Sequence, residues 1–270
     1  MLDIDQLIEM TVASDPLRVP VLRSAIRALG FAPGSRGLDA GCGAGSPGLL
    51  LAEAVGPGGH VTGLDLLPEL LAHAGNSADQ ASLSARVSFL AGDANRLPFE
   101  DHSFDWAWSA DCIGYAPLGT LPLLRELARV VRLGGRVAIL AWSSETLLPG
   151  HPQLEAGLNA TSAGMAPFVA GSRPESHFLR SLGWFRAAGL EQPAALTLAG
   201  GAHAPLTDEM RRALVALFQM RWPGVEPELA PEERAEYRRL CLPSSPDFIA
   251  DGPDYYAFFT YSLFHGRVRH

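Results

Sequence analysis

Leu38-Asp39-Ala40-Gly41-Cys42-Gly43-Ala44-Gly45-Ser46-Pro47-Gly48 is a loop of small residues with one acid at its head, set between two apolar segments. Glycines this dense let a backbone approach a ligand closely, because no Cβ stands in the way. A helix opening at such a loop turns unsatisfied N–H groups, and the positive end of its dipole, toward whatever binds there. The run reads as a site for a nucleotide-type cofactor. Which cofactor depends on the residues around it.

Upstream, residues 4–30 carry helical periodicity in two pieces broken near Asp15-Pro16, the second marked by Leu17, Val21, Leu22, Ala25, Ile26 and Leu29. Pro33-Gly34 then turns the chain into a short strand ending at Asp39-Ala40. Downstream, Pro47 sits near the start of a helix through about Val55, and His60 to Asp65 reads as a second strand. A helix over about 68–85, strands over 87–91 and 104–109, a helix over 121–131 and a strand over 136–142 continue the alternation. Such alternation predicts an α/β fold, a doubly wound, mostly parallel sheet covered on both faces. Ligands of such sheets bind outside the carboxyl ends of the strands. Asp39, Asp65, Asp93 and the stretch Ser109 to Asp111 all fall there.

Past residue 143 the pattern loosens into Gly-, Pro-, Ser- and Ala-rich sequence, followed by a helix over 176–188 and a strand over 191–202. Thr207 caps a helix carrying Met210, Leu214, Leu217 and Phe218, and a further helix covers 231–240. The aromatic, β-prone run 255–264 closes the sheet. With no repeat and no long linker, residues 1–270 read as a single domain. Its parts are an N-terminal helical cover (1–30), a cofactor-binding core (31–142), lid or substrate insertions (143–174 and 204–254) and a closing strand (255–268).

Bulk composition narrows the function. A net charge of −8 with no basic stripe argues against a nucleic-acid partner. All 21 cationic residues are Arg, which excludes a Schiff-base lysine and a P-loop lysine. Cys42, Cys112 and Cys241 are scattered, and neither they nor the eight histidines show metal-ligand spacing, so no metal site is expected. A mean hydropathy of +0.10, apolar runs too short for a membrane span and a start without signal-peptide layout give a cytoplasmic protein as the expectation. A homodimer stays open.

Gly43-Ala44-Gly45-Ser46-Pro47-Gly48 also satisfies the dinucleotide pattern Gly-x-Gly-x-x-Gly, so an NAD or FAD site competes for the loop. Asp39 counts against it, because its negative charge would oppose a pyrophosphate. Pro47 counts against it too, because it removes an N–H donor at the helix start. A cofactor with a cationic group and a free amine suits that acid better.

With these residues the chain resembles the class I S-adenosylmethionine-dependent methyltransferases over about residues 30–142. Leu38 to Gly45 is similar to the family's first motif, Gly92 to Asp105 to its third- and fourth-strand signature, and Arg132-Leu133-Gly134-Gly135-Arg136 to the turn into its fifth strand. The resemblance implies a seven-stranded, Rossmann-like sheet with an antiparallel last strand and S-adenosylmethionine as cofactor. It implies a first-motif role for Asp39, Gly41 and Gly43 and ribose binding by Asp65, with Leu66 beside it. Asp93 and Ala94 would meet the adenine, with Ser109 also lining the site. A carboxylate suits two vicinal hydroxyls because it accepts from both.

Methyl transfer is an in-line displacement that needs alignment first, and a base only where the acceptor must lose a proton. The loop after the fourth strand would face the methyl group, which makes Asp111 the candidate base and Tyr115 a candidate for orienting the acceptor. His151 is a second candidate base. Phe168, Trp184 and Trp222 suggest an apolar or aromatic small-molecule acceptor, in quinone-like or secondary metabolism, against the alternative that they fill the core. An NAD-dependent oxidoreductase and a non-catalytic cofactor-binding scaffold are the rival readings.

Overall fold

The computed structural model describes residues 4–112, 120–168 and 173–269. Seven strands run through them: β1 (Arg36–Ala40), β2 (His60–Asp65), β3 (Val87–Ala91), β4 (Phe104–Ala110), β5 (Val131–Thr146), β6 (Leu190–His203) and β7 (Tyr256–Val268). Their order is β3-β2-β1-β4-β5-β7-β6, and β3, β2, β1, β4 and β5 pair in parallel. The helices in chain order are α1 (Ile4–Ala13), α2 (Asp15–Leu29), α3 (Ser46–Val55), α4 (Pro68–Gln80) and α5 (Thr120–Val130). They continue with α6 (Pro152–Asn159), α7 (Ser162–Met165), α8 (Ser181–Ala187), α9 (Asp208–Arg221) and α10 (Pro231–Cys241). Parallel neighbours need crossovers, and α3 and α4 supply those from β1 to β2 and from β2 to β3.

The chain divides into two compact units where the sequence suggests one domain with insertions. A core unit holds Val21–Ser143, Pro174–Leu198 and Tyr261–His270; a second unit holds Met1–Pro20, Ser144–Arg173 and Ala199–Thr260. In the core unit, Leu38, Ala40, Leu64, Val137, Ile139 and Phe264 from the sheet pack with Leu123, Leu127 and Val130 of α5 and Phe185 of α8. On the other face Trp106 stacks on Phe31 with ring centroids 4.0 Å apart, and its indole N–H donates to Ser35 Oγ at 2.9 Å. That indole occupies the space beside Gly37, where a Cβ would lie 2.0 Å from it.

In the second unit Trp222 and Phe248 are buried against Phe218, and the Trp222 indole N–H donates to Asn159 Oδ1 at 2.8 Å. Trp222 is therefore a core side chain there, and Trp184 likewise packs on the hydrophobic cluster of the core unit. Thr207 caps α9 as the sequence suggests, its hydroxyl accepting from Met210 N–H at 3.1 Å.

Three local departures have physical causes. The helix read as running to residue 85 stops at Gln80, because Leu83 N–H donates back to Ala78 O and Ser82 N–H to Asp79 O. This is a Schellman closure made with Ser82 at φ +57°, so no glycine announces it. The strand expected over 136–142 starts at Val131, its pairing with β4 shifting register between Phe104 and Trp106. Residues 144–174 hold α6 and α7, short helices whose small residues leave little periodicity to read.

Candidate cofactor site

Ala40, Asp65, Ala91 and Ala110 end four neighbouring parallel strands, so the loops that follow leave from one edge of the sheet. The glycine loop is fastened as it leaves β1, with Gly41 and Cys42 N–H both donating to Leu64 O at 2.7 and 3.0 Å. Gly43 N–H then donates to Asp65 Oδ2 at 2.9 Å, and Leu67 N–H donates to Asp65 Oδ1 at 3.1 Å. One carboxylate thus ties the loop after β1 to the turn after β2. Gly41 (φ +75°) and Gly45 (φ +95°) take the left-handed conformation, and Cβ atoms there would lie 2.7 Å from Cys112 Sγ and 2.6 Å from Ala74 Cβ. Both positions need glycine for conformation and for space.

Asp39 differs from the expectation. Its side chain has no exposed surface, and it lies against the first turn of α3, where a Cβ on Gly48 would be 3.3 Å from Oδ2. Neither carboxyl oxygen has a hydrogen-bond partner. Burial, reinforced by the charge of Asp65, pushes its carboxyl up to about 8. A buried, unpaired carboxylate is costly, so the group keeps its proton at neutral pH. Asp39 is not a preformed negative charge touching a ligand; it is a neutral acid beneath the loop that a nearby cation would ionise.

Asp93 Oδ1 accepts from the Asn95 N–H at 2.8 Å and from Asn95 Nδ2 at 3.2 Å, which shapes the turn after β3 and buries Ala94. Leu66, beside Asp65, is 55% exposed, an apolar surface placed at the binding edge. Ser109 is corrected. Its side chain is fully buried and its hydroxyl donates to Ala40 O at 2.7 Å, so it fastens β4 to β1 and has no surface to offer a cofactor.

Asp111, at φ +53°, holds the end of β4. Its N–H donates to Leu140 O at 2.9 Å, Oδ1 accepts from Trp142 N–H at 3.1 Å, and Oδ2 accepts from Tyr261 O–H at 3.1 Å. Trp142 and Tyr261 meet edge to face at 5.4 Å above it. The carboxylate therefore braces β4 against β5 and β7. Asp111→Ala is expected to cost about 2–3 kcal/mol in urea unfolding by removing the carboxylate that both donors use, with Tyr261→Phe costing less because it removes only one of the two bonds. Unchanged stability with abolished turnover would return Asp111 to the role of base. Nothing in the sequence signals Tyr261 as its partner, 150 residues away.

Tyr115 lies outside the described residues. His151, at the start of α6, is in the second unit, its Nδ1 2.8 Å from Oε1 of Glu236 in α10. The Cys112 thiol is pushed up to about 11 and that of Cys42 further still, both chiefly by burial, so neither is a thiolate at neutral pH.

Strand order, glycine loop and the acid ending β2 define a class I S-adenosylmethionine-dependent methyltransferase fold. Residues 38–135 match the model of a family described as methyltransferase domain. A demethylmenaquinone methyltransferase of Bacillus cytotoxicus is 38% identical over 130 residues, which are 47% of this chain and 52% of that protein. The chain spans about half the length of the curated relatives it matches. Among solved structures, a SAM dependent methyltransferase from Aquifex aeolicus superposes with a TM-score of 0.52 at 22% identity, covering 71% of this chain and 90% of that one. Geranyl diphosphate C-methyltransferase from Streptomyces coelicolor, solved with S-adenosyl-L-homocysteine, gives 0.55 at 19% identity over 94% and 80%. These likenesses share the fold.

The residues present fit S-adenosylmethionine. The orphaned carboxyl of Asp39 answers a cationic group, and Asp65 stands at a β-strand end with its oxygens oriented by backbone donors.

Proposed function

We propose that this chain transfers a methyl group from S-adenosylmethionine to a small, quinone-like organic acceptor. The observation that carries the reading is Asp65, pinned at the end of β2 by the glycine loop's own Gly43 N–H. S-adenosylmethionine, when bound, supplies an electrophilic methyl group on a sulfonium. In this reading Asp65 accepts from the ribose hydroxyls, Leu66 covers an apolar face, and Asp93 and Ala94 border the adenine. Asp39 acts on the bound cation through its field, not by contact. The relatives that methylate demethylmenaquinone support a quinone-like acceptor, and the net charge of −8 supports a small molecule over nucleic acid.

The dinucleotide reading of the loop is weaker. Pro47 leaves a missing donor in the first turn of α3, where a pyrophosphate would need one. Calorimetric titration of the full chain is expected to show binding of S-adenosylmethionine and S-adenosylhomocysteine and none of NAD. Incubation with methyl-labelled S-adenosylmethionine and a demethylated naphthoquinol is expected to move label into the organic phase. Binding of NAD without S-adenosylmethionine would overturn the reading.

A further inference from the structure

Away from the cofactor edge the core unit carries a group of cations that the proposed chemistry does not use. Val137, Ile139 and Phe264 point into the hydrophobic cluster. Side chains alternate along a strand, so Arg136 of β5 and His265 and Arg267 of β7 emerge together on the opposite face. β5 and β7 are neighbours in the sheet. Arg136 pairs in register with Trp106 near the amino end of β4, which sets the group toward the other end of the strands from Asp39 and Asp65.

The half-buried guanidinium of Arg136 has no hydrogen bond or ion pair among the described residues. Arg267 is turned toward β5 by its Nη1 donating to Gly134 O at 2.9 Å. Nearby acids are already engaged: Asp105 accepts from Arg36 N–H at 2.7 Å and pairs with Arg132 at 2.9 Å, and Glu191 pairs with Arg269 at 3.3 Å. The three groups also oppose one another. Burial, then the repulsion of Arg267, lowers the pKa of Arg136; burial, then Arg136 and Arg267, lowers that of His265. A half-buried cation without a counter-charge is unfavourable unless something else neutralises it.

We propose that Arg136, Arg267 and His265 form an anion site on this face of the sheet, taking a phosphate-type oxyanion from a soluble phosphate or from a lipid headgroup. Arg136 and Arg267 supply guanidinium donors suited to phosphate oxygens, and His265 supplies a ring N–H. The site is independent of the methyl-donor reading, since none of its residues lies at the cofactor edge.

Inorganic phosphate titrated into the full chain at constant ionic strength tests it, with the His265 ring followed by NMR. A saturable change is expected, with the His265 pKa rising by about one unit as the added negative charge favours its protonated form. Chloride should not reproduce it. R136Q should abolish the response, and R267Q, at an exposed position, should weaken it about tenfold through loss of one charged donor. Co-sedimentation with phosphatidylglycerol but not phosphatidylcholine vesicles, lost in both variants, would assign the source to a headgroup. A phosphate response without sedimentation would assign it to soluble phosphate. Equal responses to chloride and phosphate, or a wild-type response in folded R267Q and R136Q, would overturn the site.

Discussion

Asp65→Ala is expected to weaken S-adenosylmethionine binding about a hundredfold, the loss of charge-assisted hydrogen bonds worth roughly 1.5–3 kcal/mol each. Two effects add. The ribose hydroxyls lose their acceptor, and Gly43 N–H and Leu67 N–H lose the carboxylate that holds loop and turn in place. Asp65→Asn, which keeps one acceptor oxygen and the side-chain shape, should fall about tenfold, because one of the two charged contacts survives in neutral form. Isothermal titration calorimetry reads both. The methyl acceptor is irrelevant to this measurement, so it tests the donor site alone. Wild-type affinity in Asp65→Ala would remove the ribose assignment.

Proton release on cofactor binding is the second expected result. The Asp39 carboxyl titrates at about 8 in the folded chain, against about 3.9 for an unfolded aspartate. A group raised in this way favours the folded state below its unfolded pKa and loses that contribution as pH rises through its folded pKa. Between about pH 4 and pH 8 the unfolded chain has shed the proton and the folded chain retains it. Stability of the cofactor-free chain should therefore decline across that window, by at most about 1.4 kcal/mol per pH unit. A bound cation shifts the balance toward the carboxylate, so binding near pH 7 should expel up to one proton per chain, and affinity should climb with pH. Titrations in buffers of different ionisation enthalpy count that proton. Asp39→Asn, isosteric and without a titrating group, should bind more weakly, release no proton and flatten the pH dependence of stability. Identical proton release in wild type and Asp39→Asn would separate Asp39 from the cofactor.

The parts of the site that were legible are those written by local pattern. Strand ends at Ala40, Asp65 and Ala91 follow from apolar runs bounded by turn residues, and Thr207 from its place ahead of an amphipathic helix. Aromatic residues were ambiguous by nature: Trp222 and Trp184 suit a substrate cover and a core equally, and the structure buries the first and packs the second. Ser109 is ambiguous for a similar reason. A serine at a strand end reads as a ligand group, and only the folded chain shows its hydroxyl proton given to the neighbouring Ala40 carbonyl.

By itself the sequence determined the parallel α/β core, the glycine loop and the acid at the end of β2, because side-chain periodicity and glycine's missing Cβ act over a few residues. Tertiary structure alone decided the protonation of Asp39, the bracing of Asp111 by Tyr261 and the unneutralised Arg136 beside Arg267. Each of these depends on desolvation or on a partner brought from a distant strand. Neither exists until the chain has packed.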